Sequence, residues 1–198
     1  MLLVNIILAI TVCVIGLSRA APATTMGTSS TPQCPNVNGM TTIDTTKLMG
    51  LWYLVAMTPS PINQTCPLQC PRLTFSQSTS STYNFLFTTN ITGQTQPITI
   101  GLSDLPITPV VSPFNLSMDI LGTLIDIQSM ILNTDYTNYM LMYTCSIVNT
   151  TLVETFDVFG RQPSMASISA GTMNAIQQSI GSTTGLTNNE FYNFTQTC

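Results

Sequence analysis

Cysteine is the most reactive side chain in this chain, because no histidine occurs anywhere in its 198 residues. Without an imidazole there is no Ser/His/Asp or Cys/His nucleophile, no histidine-ligated haem and no ordinary catalytic zinc. The pair Cys66 and Cys70, in CPLQC, has a spacing that can chelate zinc, but an oxidising compartment favours disulfides over a thiolate site. The eight acidic residues are scattered, with no paired carboxylates of the kind that hydrolyse glycosides. No catalytic residue, metal or cofactor is expected, so the residues point to binding rather than to reaction.

The sulfurs agree with an extracellular location. Cys13 lies in an apolar run, residues 2–17, that ends in small residues at Ser18 and Ala20 and reads as a secretory signal peptide over residues 1–20. Removing it leaves Cys34, Cys66, Cys70, Cys145 and Cys198, which fit two disulfides plus one spare thiol, and spacing alone does not choose the pairing. It also removes Arg19, leaving Lys47, Arg72 and Arg161 against eight acidic residues, 3 minus 8 or −5. Nucleic acid is therefore not an expected partner, since phosphate binding needs clustered cations. Only 6% of residues are charged, so solubility must rest on Ser, Thr, Asn and Gln and on sugar. Five acceptor triplets, at Asn63, Asn90, Asn115, Asn149 and Asn193, fit N-glycosylation. Residues 21–33, APATTMGTSSTPQ, lack periodicity and read as a flexible leader to one domain over residues 34–198. That domain carries no second long apolar stretch, and no integral membrane segment is expected after cleavage.

The elements that must position these residues are mostly strands. Short runs rich in Thr, Val, Ile, Phe and Tyr, separated by Gly, Pro, Asn and Ser, predict strands over 51–57, 73–77, 82–89, 96–102, 115–120, 125–133, 139–147 and 152–161. TTNITGQT, NTDYTN and IVNTT are read as hairpin connections. From 167 to 180 the period changes: Ile168, Met173, Ile176 and Ile180 recur near helical spacing, with Gly181 as a stop. EFYNFTQTC then reads as a short terminal strand. The expected fold is all-β, an eight-stranded antiparallel up-and-down β-barrel with one C-terminal α-helix packed on the outside and a short terminal strand. Short sequential connections favour that barrel over a two-sheet sandwich.

Four stretches carry a family resemblance. QCP at 33–35 with KLMGLWYLVA at 47–56, NTDYTNYMLMYTC at 133–145, VFGRQP at 158–163 and the terminal FTQTC fall in the order and spacing of the lipocalins. Within that family the chain resembles the apolipoprotein D-like branch. The resemblance implies a barrel floor built from Gly50, Trp52 and Arg161, with the arginine over the indole. It implies disulfides joining Cys34 with Cys145 and Cys70 with Cys198, since Cys70 to Phe75 reproduces the family's cysteine-to-aromatic spacing in the second strand. Cys66 then departs from the pattern as a free thiol or as a competitor of Cys70. One branch of the family isomerises a prostanoid with a strand thiol, and Cys66 or Cys70 would be its counterpart here.

If Arg161 points inward, the two-residue period of strands puts Phe159, Asp157 and Thr155 on its face, and Leu54 and Ala56 on the face of Trp52. Candidate pocket residues are Leu54, Ala56, Phe75, Phe85, Tyr143, Thr155, Asp157 and Phe159. Two choices stay open: Tyr83, Phe85 and Phe87 either line the cavity or pack under the helix, and in the seventh strand either Tyr139, Leu141 and Tyr143 or Met140 and Met142 face inward. Removing about 300 Å² of apolar ligand surface from water contributes about 7 kcal/mol gross, against about 8 kcal/mol for micromolar binding. The expected function is a secreted carrier of a small hydrophobic ligand: a neutral lipid, sterol, retinoid or pheromone-like molecule. The alternative is an extracellular protein of the same fold that acts on a cell-surface receptor, or that binds a cationic amine at a buried Asp157.

Overall fold

The computed structural model describes residues 32–58, 68–77, 79, 82–91, 96–106, 114–120, 123–148, 151–184 and 191–194. The segment expected to be a signal peptide, all but the last two residues of the expected leader, Cys13, Cys66 and Cys198 lie outside these residues. So do Asn63 and Asn149.

The β-branched and aromatic runs form strands: β1 (Gly50–Thr58), β2 (Leu68–Gln77), β3 (Thr82–Ile91), β4 (Ile98–Pro106), β5 (Phe114–Ile120), β6 (Thr123–Thr134), β7 (Tyr139–Val148), β8 (Thr151–Gly160) and the short β9 (Tyr192–Asn193). They join one antiparallel sheet in the order β4-β3-β2-β1-β8-β7-β6-β5, with β9 added along β1. Every neighbour in that order is next in sequence except β1 and β8, the first and last of the series. The two ends of the order, β4 and β5, approach each other, so the sheet is curled rather than flat.

Several element boundaries differ from the sequence reading, the fourth strand among them (Ile98–Pro106 against 96–102). β2 begins at Leu68, five residues before the expected start, because the register shift between Gln69 and Arg72 accommodates Pro71. Proline cannot donate to a regular ladder, and an irregularity is where a strand tolerates it. β3 likewise continues through Thr88–Ile91 instead of turning after Phe87. The C-terminal helix spans Ala170–Thr184, starting later than expected because Met165–Ser167 form a separate 3-10 turn. It also runs past Gly181. A glycine costs about 1 kcal/mol inside a helix, less than the packing of Ile176 and Ile180 just before it supplies.

The start of that helix is local chemistry. The Ser169 hydroxyl accepts from the Thr172 amide at 3.1 Å, a side-chain cap for an otherwise orphaned donor. Ile176 and Ile180, with Met173 one turn earlier, then form the stripe that meets the sheet.

Alternating side chains give the sheet two apolar faces. Val55, Met130, Leu141, Tyr143, Phe156 and Val158 pack with Ile168, Ile176 and Ile180 of the helical segment. Trp52, Leu54, Leu73, Phe75, Phe85, Ile131, Met140, Met142 and Phe159 pack together in a second cluster on the other face. Helix and second cluster therefore lie on opposite sides of the same strands.

Candidate functional site

The face of Trp52 is the candidate site, and its floor is assembled from three segments. Trp52 is fully buried, and its indole Nε1 donates to the Leu48 carbonyl at 2.8 Å. The short helix Thr45–Leu48 thereby closes against the start of β1. The Arg161 guanidinium carbon lies 3.7 Å from the centre of the Trp52 ring. Its nitrogens donate to the carbonyls of Lys47 (2.8 Å), Met49 (2.9 Å), Leu51 (3.2 Å) and Tyr136 (3.3 Å). Burial lowers its pKa from the usual value. A cation over an indole contributes about 0.5–2 kcal/mol, and the planar fork suits several acceptors at once in a way lysine cannot match.

Two unusual backbone positions make this geometry available. Gly50 has φ +95°, a backbone conformation that L side chains rarely adopt, so glycine is required there for conformation; a Cβ would lie 3.4 Å from the Arg161 guanidinium, at ordinary contact distance. Tyr136 has φ +64°. It sits in the TDYTN turn, where Asp135 Oδ1 accepts from the amides of Thr137, Asn138 and Tyr139. Burial opposes ionisation of Asp135, but the hydrogen bonds led by Asn138 outweigh it and hold its carboxyl below the usual range. The turn so fixed presents the Tyr136 carbonyl to Arg161 and the Tyr136 hydroxyl to the Asp44 amide.

Above the floor the cluster is largely aromatic and thioether. Leu54, Phe75, Phe85 and Phe159 face this side and are buried. Phe75 and Phe85 are cross-strand partners with ring centroids 4.3 Å apart. Phe87 packs on the same cluster, so Phe85 and Phe87 of the third strand face Trp52 rather than the helix. In β7, Met140 and Met142 are the residues on this side.

Two expected pocket residues are on the other face. Ala56 packs with Val158 and the helix cluster, because the register of β1 on β8 shifts between Leu54 and Ala56. That bulge reverses the alternation: Val55 and Ala56 both join the helix cluster, and Met57 returns to the Trp52 cluster. Tyr143 also faces the helix, with its ring centroid 5.1 Å from that of Phe156 and its hydroxyl donating to Glu154 at 2.6 Å. Burial, then the Glu154 contact, raises the Tyr143 pKa. It faces that way because its cross-strand partners, Met130 and Phe156, belong to the helix-side cluster.

One polar row interrupts the apolar face. Ser129, Thr144 and Thr155 are successive cross-strand partners on β6, β7 and β8. The Thr144 and Thr155 hydroxyls are hydrogen-bonded to each other, and both reach Asp157 Oδ2, at 3.3 and 3.1 Å. Asp157 is only 7% exposed, and its burial pushes its pKa up to about 7 against the opposing Thr155 and Thr144 hydrogen bonds. Its Oδ1 and the Ser129 hydroxyl are buried without a hydrogen-bond partner. Such an orphan costs about 1–3 kcal/mol. The sequence reading missed Ser129, Thr144, Leu73 and Met57 as members of this face. For Thr144 the signal was present once the face of β7 is chosen, since it alternates with Tyr143.

The sulfur chemistry is partly described. Cys34 and Cys145 form a disulfide, tying the segment before β1 to β7. Cys70 is disulfide-bonded, so it cannot serve as the isomerase thiol considered above; its sulfur is already spent in a covalent bond. Among the described residues no cysteine is free and no group of His, Cys, Asp or Glu is placed to hold a metal. Of the glycosylation candidates, Asn193 is exposed on β9, Asn90 is half-buried in β3 and Asn115 lies on β5.

A curled antiparallel sheet with a helix on one face and an arginine-capped tryptophan on the other defines a class, the lipocalin fold. Solved structures agree. Insecticyanin from the tobacco hornworm Manduca sexta matches with a TM-score of 0.61 at 13% identity, over 82% of this chain and 85% of that one. Lobster apocrustacyanin A1 matches with a TM-score of 0.55 at 20% identity, over 84% and 94%. The siderocalin Ex-FABP, which functions through dual ligand specificities, matches with a TM-score of 0.54 at 11% identity, over 77% and 96%. At these identities the likeness is one of fold. No family model and no curated protein matches the sequence.

Proposed function

We propose that this chain is a secreted carrier that binds one small, mainly apolar ligand inside an eight-stranded barrel. The observation that carries this reading is the buried face around Trp52, Phe75, Phe85, Met142 and Phe159, which faces away from the helix and is closed at one end by Arg161. β4 approaching β5 supports closure of the curled sheet into the barrel, with the helix outside. Three methionines on this face, Met57, Met140 and Met142, are the side chains that re-pack most easily around a guest. That Ex-FABP has ligand specificities and that LTBP1 was solved as a complex with LTC4 supports a binding role on this fold.

The Cys34–Cys145 disulfide supports an oxidising, extracellular compartment. No described helix is long and apolar enough to cross a membrane. The motif pattern supports an apolipoprotein D-like relative with a second bridge from Cys70 to Cys198, Cys66 unpaired and glycans on some of the five sequons. Neutral lipids, sterols or retinoids suit a site whose one described cation, Arg161, is engaged at the floor.

The test is displacement of a naphthylamine probe from the delipidated protein, with mass spectrometry of the organic extract from protein purified at its source. The expected result is one displaceable probe per chain and a near-stoichiometric lipid. Absence of both would overturn the carrier reading.

A further inference from the structure

The polar row on β6, β7 and β8 is the part of the Trp52 face that an apolar cavity does not explain. Its hydrogen bonds leave Asp157 Oδ1 over, whether the carboxyl is protonated on Oδ2 or ionised. Thr144, Thr155 and Asp157 Oδ2 make three mutual contacts, while two hydroxyls supply only two protons. A carboxyl proton on Oδ2 completes the set and leaves Oδ1 a carbonyl oxygen. In the ionised form Oδ1 is again an acceptor. Either way the buried, unpartnered Oδ1 needs a donor, and the unpartnered Ser129 hydroxyl marks a second polar position on the same row.

No described side chain fills that need. The residues paired with Asp157 across the sheet are Met57 on β1 and Met142 on β7. Thr155 and Phe159 flank it on β8, Thr144 reaches it from β7 and Ile131 sits opposite Met142 on β6. None of these is titratable, and Glu154 and Tyr143 lie on the opposite face. Its neighbours across the sheet are therefore methionines, side chains flexible enough to move aside for a ligand head.

Resting on the carrier reading, we propose that Asp157 Oδ1 is the anchor for a hydrogen-bond donor on the ligand, so that the cargo is an apolar molecule carrying a hydroxyl or protonated amine head. A matched ether, ester or hydrocarbon cannot supply the proton and leaves the orphan buried.

The experiment compares tetradecanol, tetradecylamine and methyl tetradecyl ether as displacers of the naphthylamine probe from the delipidated full chain. The alcohol, the amine or both should bind about tenfold or more tighter than the ether. Asp157→Leu should abolish that preference while keeping the ether's affinity. Asp157→Asn keeps the acceptor and removes the charge. It should retain alcohol binding and weaken amine binding, and so tells the two heads apart. Equal affinities for all three ligands in the wild-type protein would overturn the proposal without recourse to any variant, and so would a preference that survives in Asp157→Leu. Failure of all three to displace the probe, or of the probe to bind, counts instead against the carrier reading.

Discussion

At the scale of single residues, Asp157 and Arg161 are opposite solutions to burying charge. Arg161 keeps its charge by spending its donors on four backbone carbonyls and lying against Trp52. Asp157 has two hydroxyls on one oxygen and no described cation, so burial moves its pKa from 3.8 up to about 7. The consequence for stability has a definite sign. Between those two values the folded protein holds a proton that the unfolded chain has released, so stability falls as pH rises through that window and levels off above about 7. Asp157→Asn should remove this slope and leave the variant more stable than wild type at pH 8, by up to about 4 kcal/mol. Urea unfolding at pH 4.5 and pH 8 measures it; parallel pH dependence in the two proteins would contradict the assignment.

At the scale of elements, the period of the strands was readable and its interruptions were not. Trp52, Leu54, Thr155, Asp157 and Phe159 are on the face that alternation assigned to them, and Phe85, whose face alternation left open, joins them with Phe75. Ala56 is not, because the shift between Leu54 and Ala56 arises from the match of β1 to β8 and leaves no mark in the composition of β1 alone. Proline at position 71 lies within β2 because the register shift between Gln69 and Arg72 accommodates it. The choice of face in β7 depended on what covers each side: the helix covers Leu141 and Tyr143, leaving Met140 and Met142 to the Trp52 cluster. Separation of the faces predicts separable effects. Ile180→Ala removes a fully buried side chain from the helix-side cluster and should destabilise by about 2–5 kcal/mol, with probe affinity unchanged at temperatures where the variant is folded. Thermal unfolding with probe titration checks both halves, and a large loss of affinity would mean that the helix side communicates with the site.

At the scale of the whole molecule, the Cys34–Cys145 disulfide closes a loop with a sequence separation of 111. In the chain-entropy account a loop of that order restricts the unfolded state by about 4–5 kcal/mol. The double variant Cys34→Ser, Cys145→Ser should therefore lose about that much in denaturant unfolding while keeping the far-ultraviolet spectrum of a β-protein. An unchanged midpoint would place the chain's stability elsewhere. By itself the sequence determined the strand series, the long C-terminal helix and the exclusion of histidine chemistry, because these rest on local period and composition, while the floor of Gly50, Trp52 and Arg161 was implied by the family resemblance. Only the tertiary structure decided which face each central strand turns to the helix, where the bulges reverse the alternation, and that Ser129, Thr144, Thr155 and Asp157 form one row. Those outcomes depend on register between strands far apart in the chain, and register is a property of the pair rather than of either segment.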